Sequence, residues 1–377
     1  MYISRYLTET LKNKLKHNNK VIVLYGARQL GKTTLSKKII KETRLKTIII
    51  NGDQEKYVDV LSSKNLNRLK SLVEGYELLF IDEAQRIPDL GINLKIMHDE
   101  MPKLKILITG SSSINIANII SESLTGRKLT YILYPLSLKE ISQNKNKFEL
   151  NEMLDDLLVF GAYPEVYTTI NHNQKKELLY EIVNSYLYKD ILELAQIKHH
   201  KKIKDLLKLL SYQIGSEVSI LELSNNLGIN RETVENYIRL LEQSFVIYRL
   251  SGYNKNLRKE ISKQDKFYFY DLGIRNTVID NFSFPDLRID KGALWENFII
   301  NERIKYLSDN QIYRGKYFWR TYTGAELDYI EESDGKLIGY EIKYSKNKIK
   351  PPKTWVETYL GSEFHLINKE NYLDYLL

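Results

Sequence analysis

The segment 26–33, Gly-Ala-Arg-Gln-Leu-Gly-Lys-Thr, restricts the fold of this chain more than any other feature. It fits the pattern G-x-x-x-x-G-K-[ST] and lies between an apolar run at 21–25 and a Lys-rich segment with helical spacing. Glycines let backbone N–H groups curl around phosphate oxygens, and the amino end of a helix adds a positive dipole. The sequence therefore predicts a phosphate-binding loop between a strand and a helix. Its expected members are Gly26, Ala27, Arg28, Gln29, Leu30, Gly31, Lys32, Thr33 and Thr34.

Three further apolar runs follow at 47–50, 77–81 and 105–109. They are almost continuous rather than alternating, as is typical of strands buried on both faces of a parallel sheet. The segments between them are long enough for crossover helices. The predicted class is therefore α/β, with a P-loop parallel-sheet core over residues 1–145.

Polar residues at the ends of these runs supply the remaining parts of a phosphate site. Lys32 is expected to contact the β- and γ-phosphates, while Thr33 and Asp82 hold Mg²⁺. Glu83 would then polarise the attacking water. Ser111 follows the fourth run and could bind the γ-phosphate, with an ordinary strand-to-loop turn as the alternative.

Helical spacing dominates residues 146–262. Ser219 starts a capping-box pattern, Gly228 makes a turn, and Asn230 can cap a second helix, so that a winged helix-turn-helix is predicted. The second helix, 231–242, carries two Arg against three Glu. A helix that enters a DNA groove usually carries several basic residues. A structural or subunit-contact role is therefore at least as well supported as base reading.

The last region, 263–377, is predicted to be a separate small α/β module. Its carboxylates and one lysine have a spacing that is typical of a metal-dependent site. Glu296 lies on a helix, Asp328 on a strand, and Glu341 and Lys343 on the next strand. The last two should point to one face because they are two residues apart. Glu296, Asp328 and Glu341 could hold Mg²⁺ for phosphodiester cleavage, with Lys343 stabilising charge. The alternative is a surface where Lys343 only neutralises Glu341.

Composition excludes several kinds of site and partner. The 377 residues contain no Cys, which rules out disulfides, thiolate zinc sites and Cys nucleophiles. No apolar run approaches a bilayer span and no secretion signal is seen, so we expect a cytoplasmic protein with no membrane partner. A net charge of +8 mildly favours polyanions. Lysines at 201–204 and 343–353, with Tyr344 and Trp355 between them, favour nonspecific binding to the DNA backbone.

Several motifs occur in the order seen in a known family. They lie at 110–113, 125–127, 134–140, 161–165 and 188–191. With the phosphate loop, they resemble the archaeal-type AAA+ ATPases that carry a C-terminal domain of unknown function, over nearly the whole chain. That resemblance implies ATP binding and hydrolysis.

The same resemblance bears on Arg127 and on the C-terminal module. Arg127 is implied to be an arginine finger supplied to a neighbouring subunit, hence a homo-oligomer, with a surface arginine as the alternative. Residues 290–345 resemble the PD-(D/E)xK nuclease superfamily, which has a restriction-endonuclease-like fold.

Three functional hypotheses remain open on the sequence. The first is a Mg²⁺-dependent AAA+ ATPase that couples ATP binding and hydrolysis to binding, remodelling or cleavage of DNA. The second is a nucleotide-dependent signalling switch with a protein partner and an inert nuclease-like module. The third is a DNA motor that remodels duplex or junctions without cutting.

Overall fold

The computed structural model describes residues 2–110, 123–187, 200–253 and 264–377. Ser111 and the motif at 188–191 lie outside these residues. The chain forms two units, divided after Tyr134, with the short segment Gln243–Phe245 grouped with the first. We call residues 2–134 the P-loop unit and the described residues from Pro135 onward, without that segment, the C-terminal unit.

Five parallel strands form the sheet of the P-loop unit in the order β2-β3-β4-β1-β5. β1 is buried at every residue, and the apolar positions of β3 are fully buried. The predicted parallel-sheet core is therefore confirmed. The strands are β1 Val21–Tyr25, β2 Thr47–Asn51, β3 Leu78–Asp82, β4 Lys105–Gly110 and β5 Lys128–Ile132.

Helices connect these strands and bury their apolar faces against the sheet. One core cluster joins Val23 of β1 and Ile108 of β4 to Leu94 and Met97, all of them inaccessible to solvent. The helices are α1 Leu7–His17, α2 Lys32–Thr43, α3 Glu55–Leu61, α4 Leu66–Val73 and α5 Leu90–Glu100.

Helices also make up most of the first half of the C-terminal unit. Asn230 accepts a hydrogen bond from the Thr233 N–H at 2.7 Å, Ser219 caps a helix at the Glu222 N–H, and Gly228 ends that helix with φ +62°. Both caps predicted from the sequence are present. The helices are α6 Leu138–Ile141, α7 Lys147–Glu152, α8 Leu154–Phe160, α9 Pro164–Thr168, α10 His172–Glu181, α11 His200–Tyr212, α12 Ile220–Leu227, α13 Arg231–Gln243, α14 Leu272–Val278, α15 Lys291–Asp309, α16 Lys353–Thr358 and α17 Tyr372–Leu376.

A seven-stranded mixed sheet runs through this unit in the order β12-β11-β10-β9-β7-β8-β6. β10 is antiparallel to both β9 and β11, whereas β11 and β12 are parallel. The strands are β6 Glu217–Val218, β7 Ile247–Gly252, β8 Asp265–Phe269, β9 Gly315–Arg320, β10 Glu326–Ser333, β11 Lys336–Ile342 and β12 Glu363–Ile367.

The parallel pairing of β7 with β9 joins the middle and C-terminal regions into that one sheet. Ser251 lies opposite Tyr317, and Gly252 lies opposite Phe318. The last region is predicted from the sequence to be separate, because the pairing of two short strands this far apart in the chain leaves no local pattern. Backbone hydrogen bonds of the sheet therefore connect the two regions.

Trp355 lies in the core of the C-terminal unit. Its side chain is 0% exposed and packs at 5.3 Å, centroid to centroid, against Trp319. α16 directs it toward Leu327 and Ile330 of β10 while the neighbouring lysines face outward. The prediction that Trp355 contributes to a DNA-binding surface is wrong, because burial of so large an apolar side chain outweighs its position among lysines. Among the helices of the described residues, none is long and apolar enough to cross a membrane.

Candidate functional site

The loop between β1 and α2 has the backbone shape of a phosphate cradle. Gly26 has φ +149°, and a Cβ placed there would lie 2.4 Å from the carbonyl oxygen of Leu133. Gly31 precedes α2 with φ +87°, a conformation that glycine adopts without steric cost. The first N–H groups of α2 therefore open toward the space above the loop.

Lys32 is buried and bound to the loop that precedes it. Its Nζ donates hydrogen bonds to the carbonyl oxygens of Gly26 at 2.9 Å and Ala27 at 2.7 Å, and the residue is 6% exposed. Both acceptors are neutral. A phosphate oxygen would be a stronger, charge-assisted acceptor for the same ammonium group.

Asp82 receives two hydroxyl groups at the carboxyl edge of the sheet. The Thr33 Oγ1 donates to its Oδ2 at 2.8 Å, and the Oγ1 of Thr109, the residue before the end of β4, donates to its Oδ1. A hydroxyl and a carboxylate held this close are the oxygen ligands that Mg²⁺ prefers beside substrate phosphates. The donor set at Thr33 and Asp82 therefore fits a magnesium ion.

Glu83 bonds to Gln85 and lies against Gly52, two residues that no sequence motif singles out. Its backbone is left-handed, with φ +53°. The Gln85 Nε2 donates a hydrogen bond to its Oε2. Gly52 donates its N–H to the Asp82 carbonyl oxygen at 2.8 Å, and a Cβ at residue 52 would lie 2.4 Å from the Glu83 carbonyl oxygen. The only sequence feature that could have indicated a role for Gly52 was its position directly after β2, because that position lies beside the end of the neighbouring strand β3.

Arg5 supports the phosphate loop from outside. Its Nη1 donates to the Leu30 carbonyl oxygen at 3.1 Å and its Nη2 to the Tyr134 carbonyl oxygen, with the residue 7% exposed. A guanidinium suits this role because its donors are fixed in a planar fork. A single arginine near the start of the chain carries no local signal for such a role.

Arg127 lies at the opposite edge of the sheet from the phosphate loop. Its carbonyl oxygen accepts the N–H of Val21 at 2.9 Å, at the amino end of β1, whereas the loop follows the carboxyl end roughly 13 Å away. Its Nε is 2.8 Å from Asp99 Oδ1. Hydrogen bonds from Arg127 and His98 lower the pKa of Asp99 to about 2. Arg127 is therefore separated from the phosphate loop of its own chain.

Asp328, Glu341 and Lys343 meet where β10 and β11 lie side by side. The Lys343 Nζ is 3.1 Å from Asp328 Oδ2 and 2.8 Å from Glu341 Oε1. Asp328 also accepts the Ile342 N–H at 2.7 Å. Burial opposes the charge on Lys343, but the two carboxylates outweigh it and raise its pKa, so it stays an ammonium group. Burial and Asp328 raise the pKa of Glu341.

Glu296 of α15 lies near this cluster but bonds to β8. Its Oε1 accepts a hydrogen bond from the Tyr268 hydroxyl at 2.5 Å and is 3.6 Å from the Nζ of the buried Lys266. Burial, and then the charge of Asp328, raise the pKa of Glu296 to about 7. Lys266 and Tyr268 were missed because they lie well before the carboxylates in the chain.

The three carboxylates predicted to share a metal ion do not point toward one common ligand position. Within the described ranges, no group of three or more His, Asp or Glu side chains is arranged to hold a metal. The Lys343 ammonium lies between Asp328 and Glu341, and Glu296 binds Tyr268 and Lys266. Positive charge from lysine therefore satisfies these carboxylates, and they do not fit a shared Mg²⁺ in this arrangement.

Comparison with known proteins shows which family models and structures this chain resembles. A family model described as "AAA domain" matches residues 18–142. A Walker-type ATPase of Pyrococcus abyssi, PABY2304, has a similar structure, with a TM-score of 0.52 at 14% identity over 74% of this chain and 96% of that one. The P-loop unit has an AAA-type ATPase fold. Two further models, described as domains of unknown function (DUF8612 and DUF4143), match residues 151–284 and 291–363.

Two relatives match most of this chain. The uncharacterized protein Rv2008c of Mycobacterium tuberculosis is 29% identical over 331 residues, which cover 87% of this chain and 71% of the relative. The uncharacterized protein MJ1544 of Methanocaldococcus jannaschii is 28% identical over 316 residues, 77% of this chain and 70% of the relative. The similarity therefore extends beyond the AAA-type unit in two distant organisms.

Proposed function

We propose that this protein is a Mg²⁺-dependent ATPase of the AAA type whose ATP binding and hydrolysis are coupled to a DNA-directed activity of the C-terminal unit. The observation that carries the proposal is the junction of α2 and β3, where Thr33 contacts Asp82 at 2.8 Å beside the buried ammonium of Lys32. An AAA-type fold and this oxygen set support a nucleoside triphosphate as the ligand.

Each residue has one task in this proposal. Lys32 exchanges its bonds to two loop carbonyls for bonds to β- and γ-phosphate oxygens. Thr33 and Asp82 hold Mg²⁺, which when bound neutralises phosphate charge. Glu83 accepts the proton of the attacking water through Oε1, since Oε2 is occupied by Gln85. Ser111, outside the described residues, is a candidate γ-phosphate contact.

Arg127 completes the proposal as an arginine finger supplied by a second copy of the chain. Its position at the amino edge of β1 rules out a contact with the phosphates of its own subunit. The ion pair with Asp99 would hold the guanidinium in place until a neighbouring subunit docks. A homo-oligomer is therefore part of the proposed functional state.

Nucleotide binding and phosphate release test the ATPase directly. We expect Lys32→Ala to lose at least tenfold in ATP affinity, and Glu83→Gln to keep the affinity but lose about a hundredfold or more in kcat. Lys37→Ala is the matched control, because Lys37 is an exposed lysine of the same helix. A folded wild-type protein that shows no calorimetric affinity for ATP would refute the proposal.

For the C-terminal unit, we propose DNA binding rather than cleavage. The placement of Lys343 among the carboxylates, which gives them a fixed lysine counterion, is the reason for not proposing cleavage. The support for a polyanionic partner is the net charge of +8. We expect duplex DNA to stimulate the ATPase, and Asp328→Ala to leave that stimulation unchanged. Mg²⁺- or Mn²⁺-dependent nicking of supercoiled plasmid that Asp328→Ala abolishes would support nuclease activity instead. An ATPase that DNA neither binds nor stimulates would favour the signalling switch.

A further inference from the structure

Four exposed lysines follow the carboxylate cluster along the surface of the C-terminal unit. Lys346, Lys348, Lys350 and Lys353, here called the lysine strip, lie within eight residues. Across the described part of the chain, none of the four lies within ion-pair distance of a carboxylate. Nearby lysines differ: Lys343 is paired with two carboxylates and Lys291 with Asp286. The strip is therefore a local concentration of lysines without direct ion pairs, and the carboxylate of Glu370 reaches it only through Asn347.

The backbone of the strip is fixed at both ends. The Asn368 Nδ2 donates to the Lys346 carbonyl oxygen at 3.1 Å, and the Lys369 N–H donates to the Tyr344 carbonyl oxygen at 3.2 Å. At the other end, Lys353 is the first residue of α16, which Trp355 anchors in the core. Like charges held close together repel within a Debye length of about 8 Å at physiological salt. A polyanion bound along the strip relieves this repulsion, and the fixed backbone ends lower the ordering that binding requires.

Aromatic side chains of this segment are not open to stacking with bases. The Lys291 Nζ is 3.9 Å and the Lys369 Nζ 5.5 Å from the centroid of the Tyr344 ring, which also packs against Trp295 at 5.4 Å. Trp355 is buried. Proteins that bind single strands without sequence preference stack bases on exposed aromatic rings. A duplex requires no such ring, because it presents a regular array of phosphates.

We propose that the lysine strip binds the phosphate backbone of double-stranded DNA, without sequence preference and in preference to single strands. The inference rests on the DNA-directed activity proposed above. It adds that the lysine strip is the binding surface and that duplex DNA is the substrate. The strip begins three residues after Lys343. A duplex bound to the strip therefore passes next to the carboxylate cluster formed by Asp328 and Glu341 around Lys343.

Salt-dependent binding to the full chain tests the proposal. A labelled duplex and one of its strands are titrated between about 50 and 200 mM salt. Each phosphate contact contributes about 0.9 to the slope of log K against log salt. Replacing all four strip lysines by Gln should lower the magnitude of the duplex slope by up to about 3.6 and weaken binding at low salt. Replacing them by Arg should retain both.

Matched controls separate the strip from general surface charge. Exposed lysines of the P-loop unit that make no ion pair within the described ranges are replaced by Gln in the control: Lys16, Lys41, Lys70 and Lys103. Equal weakening of duplex binding in strip and control variants would overturn the proposal. The proposal would also be overturned if the single strand bound as tightly as the duplex or more tightly. Competition by poly-glutamate as effective as competition by duplex DNA would have the same consequence. Wild-type ATP hydrolysis is measured in parallel, so a failed ATPase and a failed strip are distinguishable.

Discussion

Adding one methyl group at residue 52 should impair catalysis much more than it weakens ATP binding. Gly52 follows β2 and is buried beside the end of β3. An alanine Cβ there would lie 2.4 Å from the Glu83 carbonyl oxygen, whereas ordinary contacts begin at 3.4 Å. The new Cβ and the Glu83 carbonyl oxygen must therefore separate by about 1 Å. This displacement matters because Glu83 also carries the proposed catalytic carboxylate.

The expected size of the effect follows from that displacement. A misplacement of about 1 Å can cost about a hundredfold in rate, which corresponds to about 2.7 kcal/mol in the activation free energy. The loss should appear in kcat. In the proposed site, Lys32 and Thr33 bind phosphate and Mg²⁺ from α2, which does not contain Gly52. The third proposed ligand, Asp82, accepts the Gly52 N–H through its backbone only, so the dissociation constant for ATP should change much less than kcat.

The assay is steady-state phosphate release with a separate calorimetric measurement of ATP affinity. Gly292→Ala is the matched control, because a Cβ at Gly292 meets no atom within 4 Å and should leave kcat unchanged. A thermal melt confirms that Gly52→Ala is folded at the assay temperature. A folded Gly52→Ala protein whose kcat is within about threefold of wild type would refute the positioning of Glu83 by this contact.

Three further predictions concern the C-terminal unit, whose unfolding can be followed by tryptophan fluorescence in denaturant. Gly161→Ala should lower its free energy of unfolding by about 2–4 kcal/mol, since Gly161 has φ +71° and an added Cβ would clash with the carboxylate of Asp271; an unchanged midpoint would contradict this. Glu331→Gln should cost about 3–5 kcal/mol, because it removes the buried negative charge that pairs with Arg303 and Arg314, each 2.7 Å away; a loss below about 1 kcal/mol would count against a buried pair. The raised pKa of Glu296, about 7 against 4.5 for an ordinary glutamate, means that the folded state retains a proton that the unfolded state has released between those two pH values. Stability should therefore fall as pH rises through that window, and Glu296→Gln should reduce the fall.

The fold of the P-loop unit is largely predictable from local pattern. The phosphate loop and the four apolar runs fix strand–loop–helix order, because a strand buried on both faces must be apolar at nearly every position. The same applies to the caps at Ser219 and Asn230, where one side chain satisfies a backbone N–H close by in the chain. These features involve interactions over a few residues only.

Predictions about surfaces and shared sites were less successful. Trp355 lies among lysines in the sequence, yet α16 turns it into the core. Glu296 and Asp328 are separated by thirty-two positions, and spacing cannot show that Tyr268 and Lys266 bind the first while Lys343 binds the second. Which side chains share a site depends on sheet register and helix packing, and neither leaves a pattern in the chain.

The amino-acid sequence by itself determined the phosphate loop, the order of strands and helices in the P-loop unit, and the presence of charged residues suited to phosphate chemistry. Only the tertiary structure decided that Gln85 bonds to Glu83 while Gly52 lies against it, that Arg127 lies at the far edge of its sheet, and that lysines pair with the C-terminal carboxylates. The physical reason is range. Backbone propensity and capping act between neighbours in the chain, whereas sterics, burial and ion pairing act between atoms that folding alone brings together.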